Sequence, residues 1–73
     1  MFSMLAMTGK ELQHRRKAAG IKGYEVAAVM GVHSSRVSQI EALATVSGET
    51  SERFLSALGR CLVAKTSDAG AVA

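Results

Sequence analysis

The sequence lacks proline and tryptophan, and it contains only one cysteine and three aromatic residues. The single cysteine, Cys61, excludes an internal disulfide framework and is typical of a protein from a reducing compartment. Because Phe2, Tyr24 and Phe54 are the only aromatic residues, the core must consist mainly of aliphatic side chains. Three aromatic residues are also too few to form a platform on which single-stranded nucleic acid could stack.

Long apolar segments are missing as well. No apolar run approaches the roughly 18 residues that a membrane-spanning helix requires, so we expect no membrane partner. The N-terminal arm, residues 1–7, is apolar, but it is shorter than a signal peptide and lacks the basic flank of one. We therefore expect a cytoplasmic protein.

The sequence shows no catalytic or metal-binding pattern. His14, His33 and Cys61 do not have the spacing of metal ligands. No nucleophile, base and orienting residue form a recognisable trio, and there is no glycine-rich phosphate loop. We predict that the protein is not an enzyme, that it binds no metal or cofactor, and that Cys61 is a small residue of the core.

The positive charge is concentrated in one part of the chain. The net charge is +3, and residues 10–41 carry all of it, because the charges elsewhere cancel. A localised positive field attracts polyanions such as nucleic acid. The alternative interpretation of the charge alone is a solvated surface.

Two helices are predicted in the first half of the chain. The run from Thr8 to Glu11 fits a capping box, and Gly20 is placed to end the first helix. A second helix begins near Gly23 and ends at Gly31, a residue that tolerates the positive φ of a tight turn. We expect Val32 to return to the core after the turn. The residues of these two helices that we expect to face inward are Leu12, Arg16, Ala19, Val26, Ala27 and Met30.

Two further helices are predicted in the second half. The third covers about residues 34–43, with Val37, Ile40 and either Leu43 or Ala44 on its inner side. The last begins near Thr50 or Ser51 and has the strongest helical period of the chain; Gly59 is either an interior position or a break. Its inner residues are Phe54, Ala57, Leu58, Cys61 and Leu62.

This pattern predicts an all-α fold, a compact bundle of four to five helices in residues 8–65. Residues 66–73 are small and unpatterned, so we expect a disordered tail. Four small polar residues share the outer side of the third helix. They are Ser34, Ser35, Ser38 and Gln39.

Residues 10–62 resemble the Cro/lambda-repressor type of helix-turn-helix domain, the XRE-like class, and most of all a small phage Cro-like regulator. The matching positions lie in the second helix, the turn and the third helix: Val26, Ala27, Met30, Gly31, Val32, Val37, Ile40 and Glu41. The resemblance implies that the third helix enters the major groove of DNA, with Ser34, Ser35, Ser38 and Gln39 facing bases. It also implies an internal ion pair between Arg16 and Glu41.

The sequence departs from the family at three places. Gly23 stands where the family usually has a glutamine that contacts phosphate, and Lys22 replaces the usual serine or threonine. The common Asn-Gly turn after Glu41 is also absent. His33, where a serine often caps the third helix, is either a phosphate contact or a plain turn residue. The residues assigned to phosphates are Lys10, Arg15, Lys17, Lys22, His33 and Arg36.

The leading hypothesis is a sequence-specific regulator of transcription, a repressor that binds double-stranded DNA in the cytoplasm of a bacterium or a phage-infected host. One recognition helix covers few base pairs, so a homodimer on a pseudo-palindromic operator is expected. The dimer interface would be formed by the last helix or by the N-terminal arm, through Met1, Phe2, Met4 and Leu5. The alternative is a protein-interaction module, an antitoxin or antirepressor, because one fold hosts both roles. A-form RNA does not suit a major-groove helix.

Overall fold

The computed structural model describes the backbone of residues 7–72 and the side chains of residues 7–66. Within this range the chain forms four helices, which confirms the predicted all-α class. They are α1 (Gly9–Ala18), α2 (Gly23–Met30), α3 (Ser34–Ala42) and α4 (Gly48–Val72). The predicted N-terminal arm, including its candidate dimer residues, lies outside the described residues except for Met7.

The ends of α1 and α2 are fixed by local chemistry, as predicted. The Thr8 hydroxyl accepts a hydrogen bond from the backbone N–H of Glu11 at 3.0 Å, and the Glu11 carboxylate accepts one from the backbone N–H of Thr8 at 3.0 Å. Gly20 and Gly31 follow the two helices with φ of 74°. This left-handed conformation favours glycine, so both residues end their helices without strain.

One prediction at the turn between α2 and α3 is wrong. Val32 does not return to the core, because 38% of it is exposed. The core beneath the turn is already filled by Val26, Ala27 and Val37. Val32 instead lies with Val29 along a surface groove between α2 and α4.

The end of α3 also differs from the prediction. The helix ends at Ala42, so neither Leu43 nor Ala44 extends its inner side, and both are exposed. Leu43 leaves the helical conformation, and its carbonyl accepts a hydrogen bond from the backbone N–H of Gly9 at 2.9 Å. Val46 fills the core instead: it is fully buried and pairs with Met7 in a single antiparallel bridge.

The last helix is longer at both ends than expected. It begins at Gly48, where the Ser47 hydroxyl accepts the backbone N–H of Thr50 at 3.2 Å. It continues through Gly59 without a break and runs to Val72, whereas we expected residues 66–73 to be disordered. No proline stops the helix in this segment. The residue Leu62, predicted to face inward, is 40% exposed.

The four helices enclose a core that is almost entirely aliphatic, as the composition predicted. Among residues 7–66, Phe54 is the one aromatic residue whose side chain is fully buried. The other large, fully buried side chains are Leu12, Ile21, Val26, Val37, Ile40 and Val46. In the described part of the chain, no helix combines the length and the apolarity needed to cross a membrane.

Candidate nucleic-acid interface

The orientation of α3 is set by two buried side chains. Val37 and Ile40 are each 1% exposed and anchor the helix to the core. Successive residues of a helix are about 100° apart around its axis, so this anchoring turns the opposite side of α3 outward. The structure accordingly places all four predicted base-facing residues on the surface: Ser34, Ser35, Ser38 and Gln39 are exposed.

Arg16 and Glu41 form the predicted ion pair, which joins α1 to α3. The Arg16 Nε lies 2.6 Å from Glu41 Oε2 and its Nη2 lies 3.0 Å from Oε1, while Nη1 donates to the carbonyl of Ile21 at 3.0 Å. The two side chains are only 13% and 6% exposed. The hydrogen bond to the Glu41 carboxylate raises the pKa of Arg16. Arg16 therefore stays charged, and its guanidinium group binds Glu41 of α3 and the carbonyl of Ile21 instead of phosphate.

A second contact between α1 and α3 depends on Gly9, which the sequence analysis did not single out. Gly9 is buried, and its backbone N–H bonds to the carbonyl of Leu43. A Cβ at this position would collide with the carbonyl oxygens of Ile40 and Glu41. The only signal in the sequence was a glycine at the first position of a capped helix, where no glycine is required.

His33 caps α3 and thereby engages Ser35. Its Nδ1 lies 3.4 Å from the backbone nitrogen of Ser35, which donates to it, and 3.1 Å from the Ser35 hydroxyl. The first of these is a long and therefore weak hydrogen bond. Among the four predicted base-facing residues, only Ser35 forms a side-chain hydrogen bond within the described part of the chain.

The predicted phosphate-binding residues fall into separate groups. All are exposed, but on α1 the helical period places Lys10 and Lys17 about 20° apart and Arg15 about 140° from Lys10. Gly9 and Arg16 point toward α3, so the two lysines lie beside α3 on its solvent side. Arg15 lies on the opposite flank, beyond the buried face of α1. All three side chains nevertheless line the same open groove on the surface of α1.

The remaining three candidates for phosphate binding lie close to the ends of α2 and α3. Lys22 is the residue that precedes α2, and His33 precedes α3. Arg36 belongs to α3 and lies about 60° from Gln39 around its axis. All three are exposed, as is the outer side of α3.

Glu25 caps the N-terminus of α2 from within its first turn. Its carboxylate accepts the backbone N–H of Lys22 at 2.8 Å and lies 3.5 Å from the Lys65 ammonium group. These contacts, chiefly the hydrogen bond from Lys22, lower the pKa of Glu25. Lys65 also donates to the carbonyl of Gly20 at 3.1 Å, so this cluster attaches α4 to α2 and to the turn between α1 and α2.

The three candidate metal ligands lie on different elements. His14 is on α1, His33 precedes α3, and Cys61 is buried on α4 with its thiol 3.5 Å from the carbonyl of Glu25. Burial, together with the negative charge of Glu25, raises the pKa of the Cys61 thiol. That Cys61 is a core residue is therefore confirmed, and the absence of a metal, a cofactor and an enzymatic activity remains a prediction.

The fold and the surface of α3 agree with a comparison against protein families. The helix-turn-helix family model matches residues 12–61, which cover most of α1, all of α2 and α3, and about half of α4. No curated protein and no solved structure matches the chain. Because the match covers more than half of the chain, the protein belongs to the XRE-type helix-turn-helix family and is a DNA-binding transcription regulator.

Proposed function

We propose that the protein reads a specific sequence of double-stranded DNA by placing α3 in the major groove, and that it acts as a small Cro-like repressor. The observation that carries this proposal is the two-sided character of α3. Val37 and Ile40 are buried and Glu41 is bound to Arg16, while the hydroxyls and the amide of the outer side are exposed. A rigid helix that presents such groups is suited to hydrogen bonding with base edges.

Gln39 is the main candidate for sequence discrimination. Its amide can pair with adenine through two hydrogen bonds, a contact worth about 1–3 kcal/mol against the wrong base. Serine hydroxyls bond to any base edge, so Ser34 and Ser38 would discriminate less. Ser35 would first have to leave its contact with His33.

Phosphates on either side of the groove would bind the cations around α3. Lys10 and Lys17 lie beside α3 from the direction of α1, and Lys22, His33 and Arg36 lie near the ends of α2 and α3. Arg36 could alternatively reach a guanine. Arg15, which we assigned to the same role, is on the other flank of α1, so we expect it to contribute least.

We further propose that the protein binds as a homodimer on a pseudo-palindromic operator. Half-sites about 34 Å apart would let two copies of α3 enter successive major grooves. Leu62 and Val63 on α4 are 40% and 66% exposed, and they offer an apolar surface for pairing. Binding to DNA of a bacterium or a phage would place this dimer in the cytoplasm.

Selection of bound duplexes from a random pool tests the proposal directly. We expect a two-fold symmetric motif, and we expect Gln39→Ala to relax the preference at one position of each half-site. Gln13→Ala on α1 is the matched control, because it removes the chain's other glutamine without changing α3. Recovery of no enriched motif, or equal effects of both variants on the motif, would contradict the proposal.

A protein-interaction module, an antitoxin or antirepressor, is the second candidate. It is favoured by a surface groove of about 540 Å³ whose apolar lining includes Val29, Met30 and Val32. Replacing Ser35 and Gln39 by alanine separates the two functions. If the protein reads DNA, this double variant no longer binds the operator. If it is an interaction module, the double variant still binds the protein partner, and Val32→Glu abolishes that binding instead.

A further inference from the structure

Tyr24 is the most exposed aromatic side chain in the described part of the chain. The side chain is 63% exposed, although it belongs to the first turn of a helix whose other side is buried. It is also the only residue of α2 (sequence GYEVAAVM) with a side chain that carries an O–H or N–H donor at neutral pH. Any side-chain hydrogen bond from α2 to an acceptor in solution must therefore come from Tyr24.

The helical period places Tyr24 beside the outer side of α3. Gly23 faces α3, because a Cβ there would lie 3.8 Å from Val37 Cγ1. Val29, in contrast, borders the groove against α4. Tyr24 lies about 100° from Gly23 and about 140° from Val29, so it is on the flank of α2 that adjoins α3 and is turned away from α4.

The charges around Tyr24 favour an anion. Glu25 is the only charged residue of α2, and its carboxylate is bound to the backbone N–H of Lys22 and to Lys65. The ammonium group of Lys22 is exposed just before the helix. An anion that approaches this flank therefore meets a cation and a neutral donor, while the nearest carboxylate is already paired.

We propose that the Tyr24 hydroxyl donates a hydrogen bond to a phosphate oxygen of the DNA strand that borders the groove entered by α3. This inference rests on the proposed function and adds a contact from α2 that no cationic residue of that helix could supply. Phosphate oxygens are the commonest acceptors in protein–DNA interfaces, and tyrosine hydroxyls are among their donors. The contact would fix the position of α2 on the duplex without reading sequence.

Tyr24→Phe removes the hydroxyl and leaves the ring, so it isolates this contact. The probe is a fluorescein-labelled mixed-sequence duplex of about 20 base pairs, roughly two helical turns, titrated at low salt by anisotropy. We expect affinity to fall roughly three- to tenfold. The slope of log affinity against log salt should not change, because a neutral hydroxyl releases no counterion. Ser56→Ala, which removes an exposed hydroxyl from α4, is the matched control and should bind like the unaltered protein.

The emission of Tyr24 gives a second readout. The chain has one tyrosine and no tryptophan, so tyrosine emission reports on this residue alone. We expect saturating duplex to change the emission beyond the change seen for a free tyrosine amide mixed with the same duplex.

The outcomes separate this inference from the proposed function. Binding of Tyr24→Phe indistinguishable from that of the unaltered protein, or an unchanged emission at saturation, would overturn the inference alone. Failure of the unaltered protein to bind duplex at any salt concentration would overturn the proposed function and this contact together. Unchanged thermal unfolding of Tyr24→Phe would confirm that its weaker binding reflects the lost hydroxyl.

Discussion

Gly9, the first residue of α1, packs directly against the carbonyl oxygen of Glu41 near the end of α3. Its backbone N–H bonds to the carbonyl of Leu43, the residue that follows α3. Because Glu41 also binds Arg16, α1 holds the end of α3 at two points, one through the backbone and one through an ion pair. The recognition surface therefore depends on α1 although all four of its predicted base contacts are on α3.

Gly9→Ala is expected to destabilise the fold by about 1–3 kcal/mol, as overpacking of a close contact does. Urea unfolding followed by circular dichroism measures the change. Gly59→Ala is the matched control: nothing lies within 4 Å of the added Cβ, and α4 is continuous there. That variant should gain up to about 1 kcal/mol from helix propensity. The same sign for both substitutions would contradict the close contact at Gly9.

Glu41→Ala should cost about 3–5 kcal/mol, because it leaves the charge of Arg16 nearly buried without its partner. The comparison is Glu49→Ala, which removes an exposed pair with Arg53 and should cost no more than about 0.5 kcal/mol. Equal costs in urea unfolding would show that the Arg16–Glu41 pair does not hold α1 and α3 together. Because the pKa of Arg16 is raised, the guanidinium group stays charged up to strongly alkaline pH.

Lys17→Ala and Arg15→Ala remove one positive charge each but from opposite flanks of α1. If Lys17 contacts a phosphate, its loss should reduce the slope of log affinity against log salt by about 0.9. Arg15→Ala should leave that slope nearly unchanged. Anisotropy titrations of a labelled duplex at several salt concentrations measure both. A larger effect from Arg15 would mean that the duplex approaches the other flank of α1.

Glu25→Gln should reduce the loss of folding stability that the protein shows as the pH is lowered from neutral to acid. The native pKa of Glu25 is lowered, chiefly by the hydrogen bond from Lys22. The stabilisation from this carboxylate is therefore complete at neutral pH and is lost as the pH falls through the native pKa. Thermal unfolding at a series of pH values from neutral to acid follows this loss. Glu49→Gln controls for the removal of a carboxylate, and an acid loss as steep in Glu25→Gln as in the unaltered protein would contradict the role of Glu25.

Cys61 should react slowly with iodoacetamide in the native protein. Its thiol is buried and donates to the carbonyl of Glu25, and its pKa is raised, so little thiolate is accessible. Mass spectrometry should show rapid alkylation in denaturant and slow alkylation without it. Similar rates in the two conditions would show that Cys61 is not buried between α4 and α2.

The sequence alone indicated the local features of the fold. A helix end depends on a few adjacent residues, which is why the capping box at Thr8 and the glycines at 20 and 31 were predicted correctly. The periodicity of Val37 and Ile40 likewise fixed which side of α3 is buried, because that pattern is a property of one helix. The partnership of Arg16 and Glu41 followed from the resemblance to a family, since nothing in their spacing of 25 residues brings them together.

The tertiary structure decided the features that depend on how helices meet. The close approach of Gly9, the exposure of Val32 and the burial of Val46 in place of Leu43 arise from neighbouring elements that no local pattern encodes. The position of Tyr24 beside α3 likewise depends on how α2 packs against α3 and α4. The sequence of each helix shows which of its sides is buried. What the two flanking sides contact is determined by how the helices pack against one another.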